Sequence, residues 1–254
     1  MHRRAFLKWA GLGLAAAPGR AVGYALATPT ERPAIVIVCE GAGSLCAVSS
    51  QLRPAAAGTN LQVRNFTWTQ GLLRILADQT NTQRARLMGQ TLADVLRWVR
   101  HDEPTAYLSL LGFSAGAYIA LLGAGQLPPA TLDQIVLLAP SVSARFDVRP
   151  AIAACRGAVH VFASEYDIFA LGIGVRLVGA TDDRQCVRTA GRYGFDRYGD
   201  DPLYQRLHHY FWTPDLAWTG YRGRHGDIHR HRFLQVAVVP LLLPLPTESA
   251  VCGG

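Results

Sequence analysis

The stretch that most constrains the fold is Tyr107–Leu122, YLSLLGFSAGAYIALL. Tyr107 to Gly112 is an apolar run of strand length, and Ala115 to Leu122 is rich in small, helix-favouring residues. Between them lies Gly112-Phe113-Ser114-Ala115-Gly116. A chain that turns from strand to helix this sharply puts Ser114 into a strained backbone conformation. Glycines two positions before and two after the serine let strand and helix pass closely. The serine then stands clear at the start of a helix, whose first N–H groups point at whatever it attacks.

The flanking sequence predicts a sheet around this turn. Ala34–Cys39 (AIVIVC) is a continuous, mostly β-branched run, the pattern of a strand buried on both faces. Leu61–Thr67 reads as the next strand. From about Thr80 to Arg100 the pattern is helical, with Met88, Leu92, Val95, Leu96 and Val99 on one face and arginines opposite. Leu132–Ala139 and Ala158–Ala163 are two further buried-type strands, and Leu203–Trp212 holds another. Ile228–Val239 reads as a closing helix, ended by Pro240 and Pro244. Strands alternating with helices imply an α/β protein with a parallel sheet, and 254 residues suffice for one domain with a proper core. Residues 168 to 202 lack periodicity, and so long a connection predicts one wall of a pocket.

Ser164-Glu165-Tyr166-Asp167 falls just past the Ala158–Ala163 strand. Ligands of open α/β sheets lie beyond the carboxyl ends of the strands, so an acid here is well placed to orient a histidine. Asp167 is the first choice and Glu165 the substitute. His225 lies between Gly223 and Gly226, in a tract that also holds Asp227, His229 and His231. On a helix His225 and His229 would share a face as metal ligands, which makes a metal-binding protein one rival reading. The two glycines argue instead that His225 is on a loop, and no metal is assigned. His208 and His209 sit on the last predicted strand and read as structural.

The Gly112–Gly116 motif, in this context and followed in chain order by Asp167 and His225, resembles the nucleophile elbow of the α/β-hydrolase family. The resemblance implies a mostly parallel sheet of about six strands with helices on both faces, spanning residues 28–243, without the first two strands of larger members. The interval between Ala139 and Ala158 has no room for the lid that members often insert there, which implies an open site. Ser114 would be the nucleophile, His225 the base and Asp167 the acid, with His229 as fallback base. The N–H groups of Ala115 and Ala42 would form the oxyanion hole; Glu40-Gly41 stands where the family often has His-Gly. No cofactor is implied, and the substrate class is a small-molecule or acyl ester. The other rival reading is a non-catalytic protein of this fold that binds a cell-envelope component.

Residues 1–27 read as a leader. Arg3-Arg4-Ala5-Phe6-Leu7-Lys8 resembles a twin-arginine export signal, and Ala25-Leu26-Ala27 has the form that signal peptidase reads. Pro18, Gly19 and Arg20 break the apolar stretch, so no stable membrane span is expected after its removal. A periplasmic or extracellular location follows, with an uncleaved N-terminal anchor as the alternative. Four of the 25 Lys and Arg residues lie in this leader, leaving 21 basic against 18 acidic side chains, too mild a balance to argue for nucleic acid. The five cysteines, Cys39, Cys46, Cys155, Cys186 and Cys252, include no C-x-x-C pair, and an odd count leaves at least one outside any intrachain disulfide. Cys39 reads as a core residue, and residues 244–254 as a poorly ordered tail.

Overall fold

Uninterrupted apolar runs become the centre of the sheet, and half-polar runs become its edges. The structure, a computed structural model, describes residues 32–44, 46–71, 81–167, 182 and 188–244. The predicted leader, residues 245–254 of the predicted tail and most of the 168–202 stretch lie outside the described residues. In chain order the main elements are β1 (Ala34–Cys39), α1 (Ser49–Ala55), β2 (Leu61–Phe66), α2 (Thr82–Asp102), β3 (Tyr107–Phe113), α3 (Gly116–Ala124), β4 (Gln134–Leu138), α4 (Arg149–Ala154), β5 (Val159–Ala163) and β6 (Leu207–Phe211). The six strands form one parallel sheet in the order β2-β1-β3-β4-β5-β6. β1, β3 and β5 are buried along their whole length, whereas the edges β2 and β6 are partly exposed.

Alternation along the strands sorts the core into two layers. Ile35, Ile37, Leu108, Leu110, Ile135 and Leu137 face α2, α3 and α4 through Leu92, Leu96, Ile119 and Ile152. Val36, Val38, Leu111, Val136, Leu138 and Phe162 face α1 and the C-terminal run through Leu52, Phe233, Leu234 and Leu242. Helices therefore cover both faces, as the resemblance implies. Between β4 and β5 the chain carries only α4, and no lid domain is inserted there. β1 lies between β2 and β3, so the chain leaves β1 to one side and returns on the other. The loops after β1 and β3 diverge at that switch point, the place at the carboxyl edge where open α/β sheets bind their ligands.

Two expectations are corrected. The Leu203–Trp212 strand is shorter: Pro202–Arg206 is a 3-10 turn, with the Asp201 side chain accepting from Leu203 N, and pairing begins only at Leu207. The Ile228–Val239 helix is broken. Its α-helical part starts at His231, widens to π geometry over Leu234–Val238, and closes as a 3-10 turn over Val239–Leu242. Pro240 supplies no N–H to continue an α ladder. Two helices, α1 and α4, have no clear sequence signature: α1 carries Pro54 in its interior, and α4 is only six residues long.

Candidate active site

Ser114 follows β3 with φ +52°, a left-handed conformation that costs a non-glycine residue energy and persists where surroundings enforce it. The enforcement is visible on each side. Ser114 N donates to Leu138 O at 3.0 Å, and Ser114 O accepts from Ser141 N at 3.2 Å and Ala117 N at 3.1 Å. The motif glycines are close-approach positions. A Cβ on Gly112 would stand 2.6 Å from Ala117 Cα, and one on Gly116 would stand 2.2 Å from the carbonyl oxygens of Cys39 and Glu40. The elbow is thus wedged between the ends of β1 and β4.

Asp167 ends a turn after β5, its N–H donating to Ser164 O at 3.1 Å, and Ser164 N donates to Gly191 O at 2.8 Å. His225 opens a 3-10 turn, His225–Asp227, so it is off any α-helix. Gly223, at φ +81°, brings this segment against the acid loop: a Cβ there would lie 2.9 Å from Ser164 Oγ and 3.0 Å from the Trp212 ring. Trp212 Nε1 donates to Tyr221 O at 2.9 Å, which fixes the approach to the turn.

These supports bring three distant side chains together. His225 Nε2 lies 2.9 Å from Ser114 Oγ, and His225 Nδ1 lies 2.6 Å from Asp167 Oδ2. The Asp167 side chain is 4% exposed and that of His225 22%, so the acid is shielded while the imidazole reaches the surface. An aspartate accepting at Nδ1 keeps the other nitrogen free to take a proton from the serine. The Phe113 ring backs the imidazole, centroids 5.1 Å apart. Tyr221 is buried beside the acid, and burial together with the negative charge of Asp167 pushes its phenol pKa up.

The alternates fall outside this contact. Glu165 is exposed, and its backbone oxygen, not its carboxylate, accepts from Arg192. His229 precedes the helix at His231 instead of starting it, and packs edge-on to Phe113 at 5.6 Å. Burial lowers its pKa, and its Nδ1 is buried without a hydrogen-bond partner among the described residues. Both nitrogens of His225 are engaged, and no three His, Cys, Asp or Glu side chains among the described residues converge as metal ligands. Cys39 and Cys155 are buried free thiols whose pKa values burial pushes up, and Cys46 is exposed.

Two backbone N–H groups border the serine. Ala115, fully buried, begins the turn into α3, and Ala42 follows Gly41 in the loop after β1. A Cβ on Gly41 would lie 3.1 Å from the Phe113 ring and 3.4 Å from Ser114 Cβ, so the Gly41–Ala42 peptide flanks the elbow. Among the described residues neither the Ala42 nor the Ala115 N–H has a protein acceptor. An unpaired buried N–H such as that of Ala115 is rare, and with the half-buried Ala42 N–H beside the same hydroxyl it can receive a negatively charged oxygen.

No family model and no curated protein matches the chain. Among solved structures, the chain is similar to a dienelactone hydrolase from Anabaena variabilis, at 16% identity over 84% of this chain and 86% of that one, TM-score 0.44. It is also similar to an α/β serine hydrolase without lid from Xanthomonas campestris, at 17% identity over 86% and 88% of the two chains, TM-score 0.44. A cutinase from Trichoderma reesei, in complex with a phosphonate inhibitor, matches at 16% identity over 83% and 77%, TM-score 0.38.

Proposed function

We propose that the chain is a serine hydrolase that cleaves carboxylic esters or related acyl bonds. The observation that carries this reading is His225 bridging Ser114 and Asp167, residues 111 and 58 positions away in the sequence. Nothing in ordinary packing requires a buried carboxylate, an imidazole and a strained serine to align in that order.

His225 Nε2 takes the Ser114 proton as Oγ attacks the substrate carbonyl carbon. Asp167 stabilises the imidazolium through Nδ1. The carbonyl oxygen gathers the negative charge and is met by the N–H groups of Ala115 and Ala42. As the tetrahedral species collapses, the C–O bond to the alcohol breaks, and the imidazolium returns its proton to that leaving oxygen. Water, deprotonated by the same imidazole, then attacks the acyl-serine ester; the acyl C–Oγ bond breaks, the imidazolium returns its proton to Ser114 Oγ, and the acid leaves. The sequence of steps uses side chains, backbone and water.

Without an inserted lid the site suits substrates that approach from open solvent. The leader-like residues 1–27 extend the proposal to export beyond the cytoplasm, tested by fractionating cells that express the full chain. Among the described residues no helix is long and apolar enough to cross a membrane.

The test of the chemistry is labelling with a fluorophosphonate alongside hydrolysis of p-nitrophenyl acetate. One covalent adduct on Ser114, and loss of both signals in Ser114→Ala, is the expected result. Folded protein that neither hydrolyses the ester nor carries the adduct ends the reading.

A further inference from the structure

Glu40 is the residue the proposed mechanism leaves unused and ordinary packing does not explain. It is 2% exposed, and among the described residues no arginine or lysine pairs with it. Burying a carboxylate is costly unless hydrogen bonds replace its water. Both oxygens are so engaged: Oε2 accepts from Val48 N at 2.9 Å and Oε1 from Ser49 N at 2.8 Å. The side chain therefore ties the end of β1 to the first turn of α1, across the loop that carries Gly41 and Ala42.

Two further bonds hold the same loop. Trp68 Nε1 donates to Glu40 O at 2.8 Å, and Gly43 N donates to Thr69 Oγ1 at 3.0 Å. The Glu40 carbonyl also lies against Gly116 at the start of α3, where a Cβ would meet it at 2.2 Å. The loop is pinned at residue 40 by side chain and backbone and at residue 43 by backbone. Between these pins lie Gly41 and Ala42, which flank Ser114, with Gly41 O accepting from Ser44 N at 3.1 Å.

We infer that Glu40 is a positioning residue, supported by Trp68 and Thr69, that holds the Ala42 N–H where the transition-state oxygen forms. This rests on the serine-hydrolase reading and deepens it. A rigid donor contributes most because no reorganisation is needed as charge develops, whereas a loop free to move loses that advantage without touching ground-state binding. A glutamine at this position keeps size but turns an N–H toward one of the two backbone donors, which breaks one tie and repels the loop.

The experiment measures kcat and KM for p-nitrophenyl acetate in Glu40→Gln, per site titrated to completion with fluorophosphonate. The expected result is a fall in kcat of about tenfold or more, short of the 10²–10³ for outright loss of an oxyanion donor, with KM within about twofold. A merely structural role would lower melting temperature and the number of titratable sites but leave kcat per site unchanged. A kcat per site within about twofold of wild type, or a change confined to KM, overturns the assignment. Should Glu40→Gln not fold, the near-isosteric Thr69→Val, which removes the acceptor at the other pin, is judged by the same criteria. Wild-type protein left unlabelled at Ser114 would instead sink the hydrolase reading and take this inference with it. Wild-type labelling with an unaffected Glu40→Gln removes the inference alone.

Discussion

At the scale of single residues, the acid loop offers two carboxylates with opposite surroundings. Asp167 is buried against His225, while Glu165 projects into solvent from the adjacent turn. Asp167→Asn keeps the shape but lets the amide favour the wrong imidazole tautomer, and kcat for p-nitrophenyl acetate is expected to fall about 10³–10⁴-fold. Glu165→Gln should leave kcat within about twofold, since surface changes away from such contacts have small effects. Equal losses in both would mean that the loop, not the carboxylate, matters. The meeting of Ser114, Asp167 and His225 was legible because each sits at a marked place: a glycine-flanked turn, a strand end, a glycine-rich loop. Glu40 was not. Its partners Val48 and Ser49 lie eight and nine residues downstream, at the start of a helix whose Pro54 masks it, so nothing in the sequence pattern marked the contact.

At the scale of elements, the elbow works because two backbones come nearer than any side chain would allow. The oxygens facing Gly116 are main-chain carbonyls at the end of β1, which cannot rotate aside as a side chain can. Gly116→Ala should therefore cost about 3 kcal/mol, the upper part of the usual overpacking range, read as a lower urea midpoint. It should also lower kcat in the folded fraction, because the carbonyl it pushes belongs to Glu40. Gly226→Ala is the contrasting control: no atom lies within 4 Å of the added carbon, and stability should change little. The strands were readable because burial on both faces leaves β1 and β3 with unbroken apolar runs. The C-terminal run was misread because its hydrophobic spacing fits a helix, while the detour through π and 3-10 geometry depends on how Pro240 is accommodated, which periodicity does not report.

Opposite ends of the same parallel sheet carry different duties. The site occupies the carboxyl edge, and an ion cluster closes the amino edge. There Asp133, 6% exposed as a side chain, accepts from Arg100 at 3.0 Å and Leu108 N at 2.9 Å, with Arg32 at 3.3 Å. Removing the carboxylate strips the Leu108 N–H of its acceptor and the two arginines of their counter-charge, while their bonds to backbone carbonyls remain, so Asp133→Ala should cost about 3 kcal/mol, the low end for buried pairs. The kcat of the remaining folded protein should be unchanged. Between the two ends, the sheet also stores a dependence on pH. His160 on β5 is buried, with Nε2 3.1 Å from Gln134 Oε1 and Nδ1 3.0 Å from the Tyr210 hydroxyl. The amide oxygen can only accept, so Nε2 carries the proton and Nδ1 accepts from tyrosine. Burial, with a smaller contribution from His208, pushes its pKa down to about 3. On β6, His209 accepts from Phe195 N and is pushed down to about 4, chiefly by burial. In the unfolded chain both would protonate near the ordinary histidine value of about 6.5. The unfolded state therefore binds more protons throughout the window between, and stability must fall as pH falls from about 6.5 toward 4. In His160→Gln one of these protons disappears from the balance. Urea unfolding across that window should show a slope against pH shallower than wild type by up to about 1.4 kcal/mol per unit. An unchanged slope would mean that His160 titrates alike in both states, and that its burial does not hold it neutral.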